Sequence, residues 1–122
     1  TGNGPLAAIS DISVVAENYA NPLGISNDGI GYSKAINSVD TTEIDFVKTH
    51  STYSKDNEIE AFLIERKFND IRTVNYKLRI GHTMGASTAI ETALAIQEES
   101  GKFLSLGAGM GNVFSSAVVE IL

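Results

Sequence analysis

Chemistry has few places to sit in this 122-residue chain, which holds two histidines and no cysteine. His50 lies in "VKTHST" and His82 in "RIGHTMGAS", with Lys77 five positions ahead of the second histidine. Without cysteine these residues offer no disulfide framework, thiolate metal site or thiol nucleophile. The histidines are roughly thirty positions apart and neither has a His or Cys at i+3 or i+4, so they do not match zinc spacing and no metal is expected. The glycine-rich "GAGMGN" (107–112) lacks the Lys-Ser/Thr pair of a phosphate-binding loop, and the segment after it reads as a strand rather than a helix.

The surrounding elements decide whether these groups can meet. "AAISDISVVAE" (7–17) reads as a first strand, with Ile12, Val14 and Ala16 on one parity. Residues 26–39 predict a short helix capped by Ser26 and weakened by two glycines. A second strand over 43–51 carries His50 at its exit. Asn57 and Glu60 have capping-box spacing for a helix over 57–68, with Ile59, Phe62, Leu63 and Arg66 on one face. A third strand over 71–77 ends at Lys77. The helix over 85–101 presents Ala86, Ala89, Ile90, Ala93 and Leu94 to one side and closes at Gly101, and its small residues predict close, buried packing. Strands over 102–109 and 112–122 come last.

The order β α β α β α β β predicts an α/β fold: a five-stranded mixed sheet with helices on its faces, largely parallel, with a terminal hairpin adding an antiparallel member. In such sheets functional groups gather beyond the carboxyl ends of the strands. His50 follows the second strand, Lys77 and His82 the third, and "GAGMG" the fourth, so three strand exits share one end of the sheet. Each group also has a plain structural reading. A loop histidine can be a hydrogen-bonded framework residue, Lys77 a solvated strand end, "GAGMG" a hairpin, and Glu58 and Glu60 first-turn acids favoured by the helix dipole.

Bulk properties exclude other classes. A hydrophobic content of 43% supports one packed domain. The net charge of −6, without a basic cluster, argues against nucleic acid. No apolar run reaches the ~18 residues of a membrane span, and no basic-then-apolar leader opens the chain. A cytoplasmic protein without membrane contact is expected. Residues 1–6 read as linker, with the parent protein's N-terminus upstream of them.

"KTHSTYSKDNEIE", "NYKLRIGHTMGAS" and "SLGAGMGN" resemble, in order and spacing, three motifs of the β-ketoacyl synthases of the thiolase-like superfamily. Those motifs are His-Gly-Thr followed by Asn-Asp, Lys ahead of Gly-His-Thr, and Gly-Phe-Gly-Gly-Thr-Asn. The resemblance implies that residues 7–122 are the C-terminal, thiolase-like half-domain of a β-ketoacyl-[acyl carrier protein] synthase. It implies a decarboxylative Claisen condensation of malonyl-ACP with an acyl-enzyme thioester, in fatty-acid or polyketide-type assembly. On that reading His50 and His82 donate hydrogen bonds to a thioester carbonyl as enolate charge develops, an effect worth roughly a hundredfold per donor. Lys77 supplies positive charge, and Gly107, Ala108 and Gly109 form an oxyanion-binding glycine turn, with Asn57 and Glu58 in support. Ala108 stands where the family has Phe, Met110 and Ser51 where it has Gly, Glu58 where it has Asp, and Thr88 where it has Gly.

The family's nucleophilic cysteine belongs to the N-terminal half. The resemblance therefore implies an acyltransferase only as a full-length protein, with the fragment inactive alone and its uncovered sheet prone to self-association. The implied partners are the missing N-terminal half, an acyl carrier protein, and a second subunit in a homo- or heterodimer. No cofactor is expected beyond substrates carried on phosphopantetheine of the carrier or on CoA. The alternative is a non-catalytic, chain-length-factor-like partner subunit of a ketosynthase heterodimer.

Overall fold

A computed structural model describes residues 6–16, 29–50, 55–76, 87–109 and 113–122. The elements are β1 (Ala7–Ala16), α1 (Ile30–Asn37), β2 (Phe46–Lys48), α2 (Lys55–Phe68), β3 (Arg72–Val74), α3 (Ser87–Glu98), β4 (Gly101–Gly109) and β5 (Val113–Ile121). They build one five-stranded mixed sheet in the order β1-β5-β4-β2-β3. β2 pairs parallel with both β3 and β4, while β5 pairs antiparallel with both β4 and β1. Four strands thus run one way and β5 alone is reversed, the antiparallel member predicted from the terminal hairpin.

Alternation along the strands divides the core into two layers. Val47, Leu104, Leu106 and Val118 meet Ile36 of α1 and Ile64 of α2 on one face. Tyr32 and Ala35 of α1 pack with Phe114 on the same side, with ring centroids of Tyr32 and Phe114 4.8 Å apart. Ser116 fixes that helix by donating its hydroxyl to the Ala35 carbonyl at 2.6 Å. Phe46, Phe103, Val119 and Ala95 of α3 form the opposite layer, where Phe46 and Phe103 stack at 4.9 Å.

That second layer reaches β1 only at Ala7. Ile9, Ile12, Val14 and Ala16 pair with Val119, Ala117, Ser115 and Val113, so all four lie on the face opposite α1. A bulge at Ser10 keeps Ile9 in the set despite its odd spacing from Ile12. Because the α3-side cluster takes in only Ala7 of β1, Ile9, Ile12 and Val14 stay 62%, 64% and 68% exposed. The apolar parity legible in β1 therefore faces outward, and its core contribution on the α1 side is Val15.

Several local readings are corrected. α1 begins after Gly29, whose φ of 60° supplies the turn that a side-chain cap was expected to make; Ser26 lies outside the described residues. β2 and β3 are three residues each, shorter than the strands expected over 43–51 and 71–77. On α2 the buried residues include Glu60 and Ile64 while Phe62 is exposed, because the helix turns an acid rather than an aromatic inward. Gly101 does not close α3; it opens β4 at φ 96°, where a Cβ would collide with the Asp45 carboxylate. Among the described residues no helix is long and apolar enough to cross a membrane.

The turn before β2 is organised by Asp40. Its carboxylate accepts from the Thr42 hydroxyl at 2.6 Å and the Thr42 N–H at 3.0 Å, which hold its pKa below the ordinary 3.8. A depressed carboxylate stabilises the fold above the unfolded-state value and loses that contribution as pH falls through the folded value. Thr42→Ala should raise the Asp40 pKa toward 3.8 in a carboxyl-carbon NMR titration, with the stability gap between wild type and variant closing in acid. An unchanged titration would assign the shift to the backbone N–H of residue 42, which the variant keeps, with Lys102 adding to it.

Candidate functional site

Parallel pairing of β2 with β3 and β4 brings their carboxyl ends to one end of the sheet. Thr49 continues the β2–β3 ladder by donating its N–H to the Val74 carbonyl at 2.9 Å, and its hydroxyl accepts from Asn75 Nδ2 at 3.0 Å. His50 comes next and is buried, with its backbone N–H donated to Glu60 Oε2 at 2.7 Å. Glu60, only 1% exposed, is thus the anchor that ties α2 to the exit of β2 and not a solvated first-turn acid. Tyr76 closes the β3 side and is buried as well.

The glycine-containing end of β4 borders the same region. Gly107, Ala108 and Gly109 are strand residues paired with Ser115, Phe114 and Val113. A Cβ on Gly107 would stand 2.5 Å from Thr88 Oγ1 and 2.7 Å from Ser115 Oγ, so glycine lets α3 approach the sheet there. Ala108 is half-buried beside the Tyr32–Phe114 cluster.

Beneath this end lies a buried ion pair that the motifs did not point to. Lys48 and Glu91 both have fully buried side chains, with Nζ to Oε1 at 3.2 Å. Lys48 also donates to the Leu106 carbonyl at 2.8 Å, so one ammonium joins β2, β4 and α3. Thr92 and Ser105 hydroxyls share a hydrogen bond at 2.8 Å one step along the same interface. The inward stripe of α3 is therefore Thr88, Glu91, Thr92 and Ala95, while Ala89, Ile90 and Ala93 are exposed. The expected small apolar face is corrected: a charged strand residue selects the polar side of the helix. A Lys in the short strand "FVK" and a Glu sharing a helix face with Thr88, three positions before it, and Thr92, next to it, were the available signals.

Of the residues singled out by motif, His50, Gly107, Ala108 and Gly109 sit at this sheet end. Glu58 is exposed on α2, and of Asn57 only the backbone, in the first turn of α2, is described. Lys77 and His82 lie outside the described residues, as do Ser51 and Met110. Among the described residues no group of three or more His, Cys, Asp or Glu could hold a metal ion.

No family model and no curated protein matches the chain. A solved structure does match, with TM-score 0.80 and 15% identity over 96% of this chain. It is described as "AntDE:AntF (apo): type II PKS acyl-carrier protein in complex with its ketosynthase bound to the hexaketide", and the present chain spans 39% of the matched chain's length. At this identity the likeness carries the fold alone.

These findings correct the assignment of the chain as the C-terminal half of a β-ketoacyl-[acyl carrier protein] synthase. The matched assembly is described through its acyl-carrier protein in complex with a ketosynthase, and no family model supports a synthase fragment. The condensation reaction, the acyltransferase classification and the missing N-terminal half as a partner fall with it.

Removing one member of the buried pair leaves an uncompensated charge. Glu91→Leu or Lys48→Met alone should each cost about 3–5 kcal/mol in urea unfolding, while the double variant should recover most of that loss. Additive losses would show that the two groups do not act as a pair.

Proposed function

We propose that the chain is a thiolase-like half-domain acting as a non-catalytic partner module in carrier-protein-dependent, polyketide-type acyl assembly, and that it seats against a ketosynthase subunit. The observation that carries this reading is the bare apolar face of β1. Ile9, Ile12 and Val14 are each more than 60% exposed on a sheet whose other layers are packed. A contiguous apolar patch on an otherwise acidic domain marks a protein contact rather than a solvated surface. The likeness to a chain of a carrier-protein–ketosynthase complex supports the choice of partner. The strand order β1-β5-β4-β2-β3, with only β5 reversed, supports the thiolase-like assignment.

In this reading His50 and the Gly107–Gly109 segment form the end of the module nearest the partner's acyl chain, with Glu58 bordering it, and they carry no bond-making step. The module needs no cofactor of its own. Phosphopantetheine arrives on the carrier protein.

Sedimentation and calorimetry with the ketosynthase and the acyl carrier protein of the same source test the proposal. Saturable binding to the ketosynthase is expected, weakened about tenfold or more by Ile12→Asp with Val14→Asp, two exposed positions where the fold tolerates charge. Binding to the carrier protein alone would move the contact to that partner and sink the ketosynthase reading. Failure to bind either would end the partner role.

A further inference from the structure

A second surface stands apart from that role. α1 and α2 flank a cleft of about 380 Å³ on the face of the sheet opposite α3, lined by Ser33, Ile36, Asn37, Leu63, Arg66 and Lys67. We propose that this cleft is a binding site for a small anion bearing a phosphate or carboxylate group, with an apolar portion resting on Ile36 and Leu63.

Charge singles the cleft out. The protein carries net −6, yet two cations converge on one cleft whose lining has no acidic residue. Among the described residues the ion pairs are Lys48–Glu91 and Arg72–Glu99, so neither Arg66 nor Lys67 is neutralised by a carboxylate. The negative ends of α1 and α2 explain basic residues in their last turns. They do not explain why two of those residues meet beside a hydroxyl and an amide.

Lys67 is also positioned. Lys67 Nζ donates to Asn37 Oδ1 at 2.7 Å, and Asn37 Nδ2 donates to Ser33 Oγ at 3.3 Å, a relay running from α2 to α1. The Phe68 ring stands 6.0 Å from the same ammonium. An ammonium has three donors, so two protons of Lys67 are left for a ligand beside the guanidinium of Arg66 and the hydroxyl proton of Ser33. Charge-assisted bonds from a forked guanidinium and an ammonium fit a tetrahedral phosphate or a planar carboxylate. The floor supplies the apolar contact that a bare inorganic ion would not use.

Methyl and amide NMR at low ionic strength provides the test, with inorganic phosphate and butyrate titrated separately against chloride at matched ionic strength. Saturating shifts are expected at the Ile36 and Leu63 methyls and the Ser33 amide. The apparent affinity should fall about tenfold or more in Arg66→Gln with Lys67→Gln, and about threefold in Asn37→Ala, which frees Lys67. Circular dichroism would verify that these exposed variants remain folded. Saturation by phosphate alone identifies a phosphate-ester ligand; saturation by butyrate, which weakens when acetate replaces it, identifies a carboxylate with an apolar tail. Linear shifts equal to those from chloride, or a titration unchanged in the double variant, overturn the site.

Discussion

One buried ammonium holds the layers of this molecule in register. Lys48 sits where β2 meets β4, bonds the carbonyl of Leu106 and ends on Glu91 of α3, with both charges out of water. Burying two ions costs several kcal/mol each, repaid only if geometry and secondary hydrogen bonds are good. The Thr92–Ser105 bond and the close approach at Gly107 supply part of that geometry, because each fixes the distance between helix and strand. A helix packed by alkyl groups alone could slide or roll by a fraction of a turn; one that must deliver a carboxylate to a fixed ammonium cannot.

The two faces of the sheet consequently differ in kind. On the α1–α2 side, aliphatic and aromatic residues interdigitate, and shape decides the packing. On the α3 side, a polar seam lies next to a short apolar block around Phe46, Phe103 and Val119, and beyond it Ile9, Ile12 and Val14 of β1 stay exposed. That asymmetry separates the possible contact surfaces. The bare strip offers area without charge, whereas the cleft between α1 and α2 offers charge in a small volume.

Much of the fold was legible because alternation and helical period are local signals. The element order, the reversed final strand and the placing of His50 at a strand exit follow from such patterns, and all are present. What sequence reasoning missed depends on partners far along the chain. Glu60 looks like an N-terminal helix acid until His50, ten positions earlier, is seen donating to it. Glu91 carries no motif of its own and gains its place only when Lys48 is set opposite, and the Ile12–Val14 parity marks a strand without showing that its face stays open. The motif resemblance compressed family chemistry into a few residues, and spacing alone could not test whether the chain performs it. Lys77 and His82, on which that chemistry rested most, fall outside the described residues.

Asp11 gives the exposed strand a safeguard. One of its carboxylate oxygens takes the Ile12 N–H at 3.0 Å and the other takes the Asp40 N–H at 2.8 Å. The middle of β1 therefore has a donor already engaged and a loop tethered alongside, so an incoming strand cannot zip along it without breaking these bonds. Together with the bulge at Ser10, this interrupts the template that open sheets present for fibril growth. The strand thus keeps its apolar face in the open while denying its backbone to misfolded neighbours.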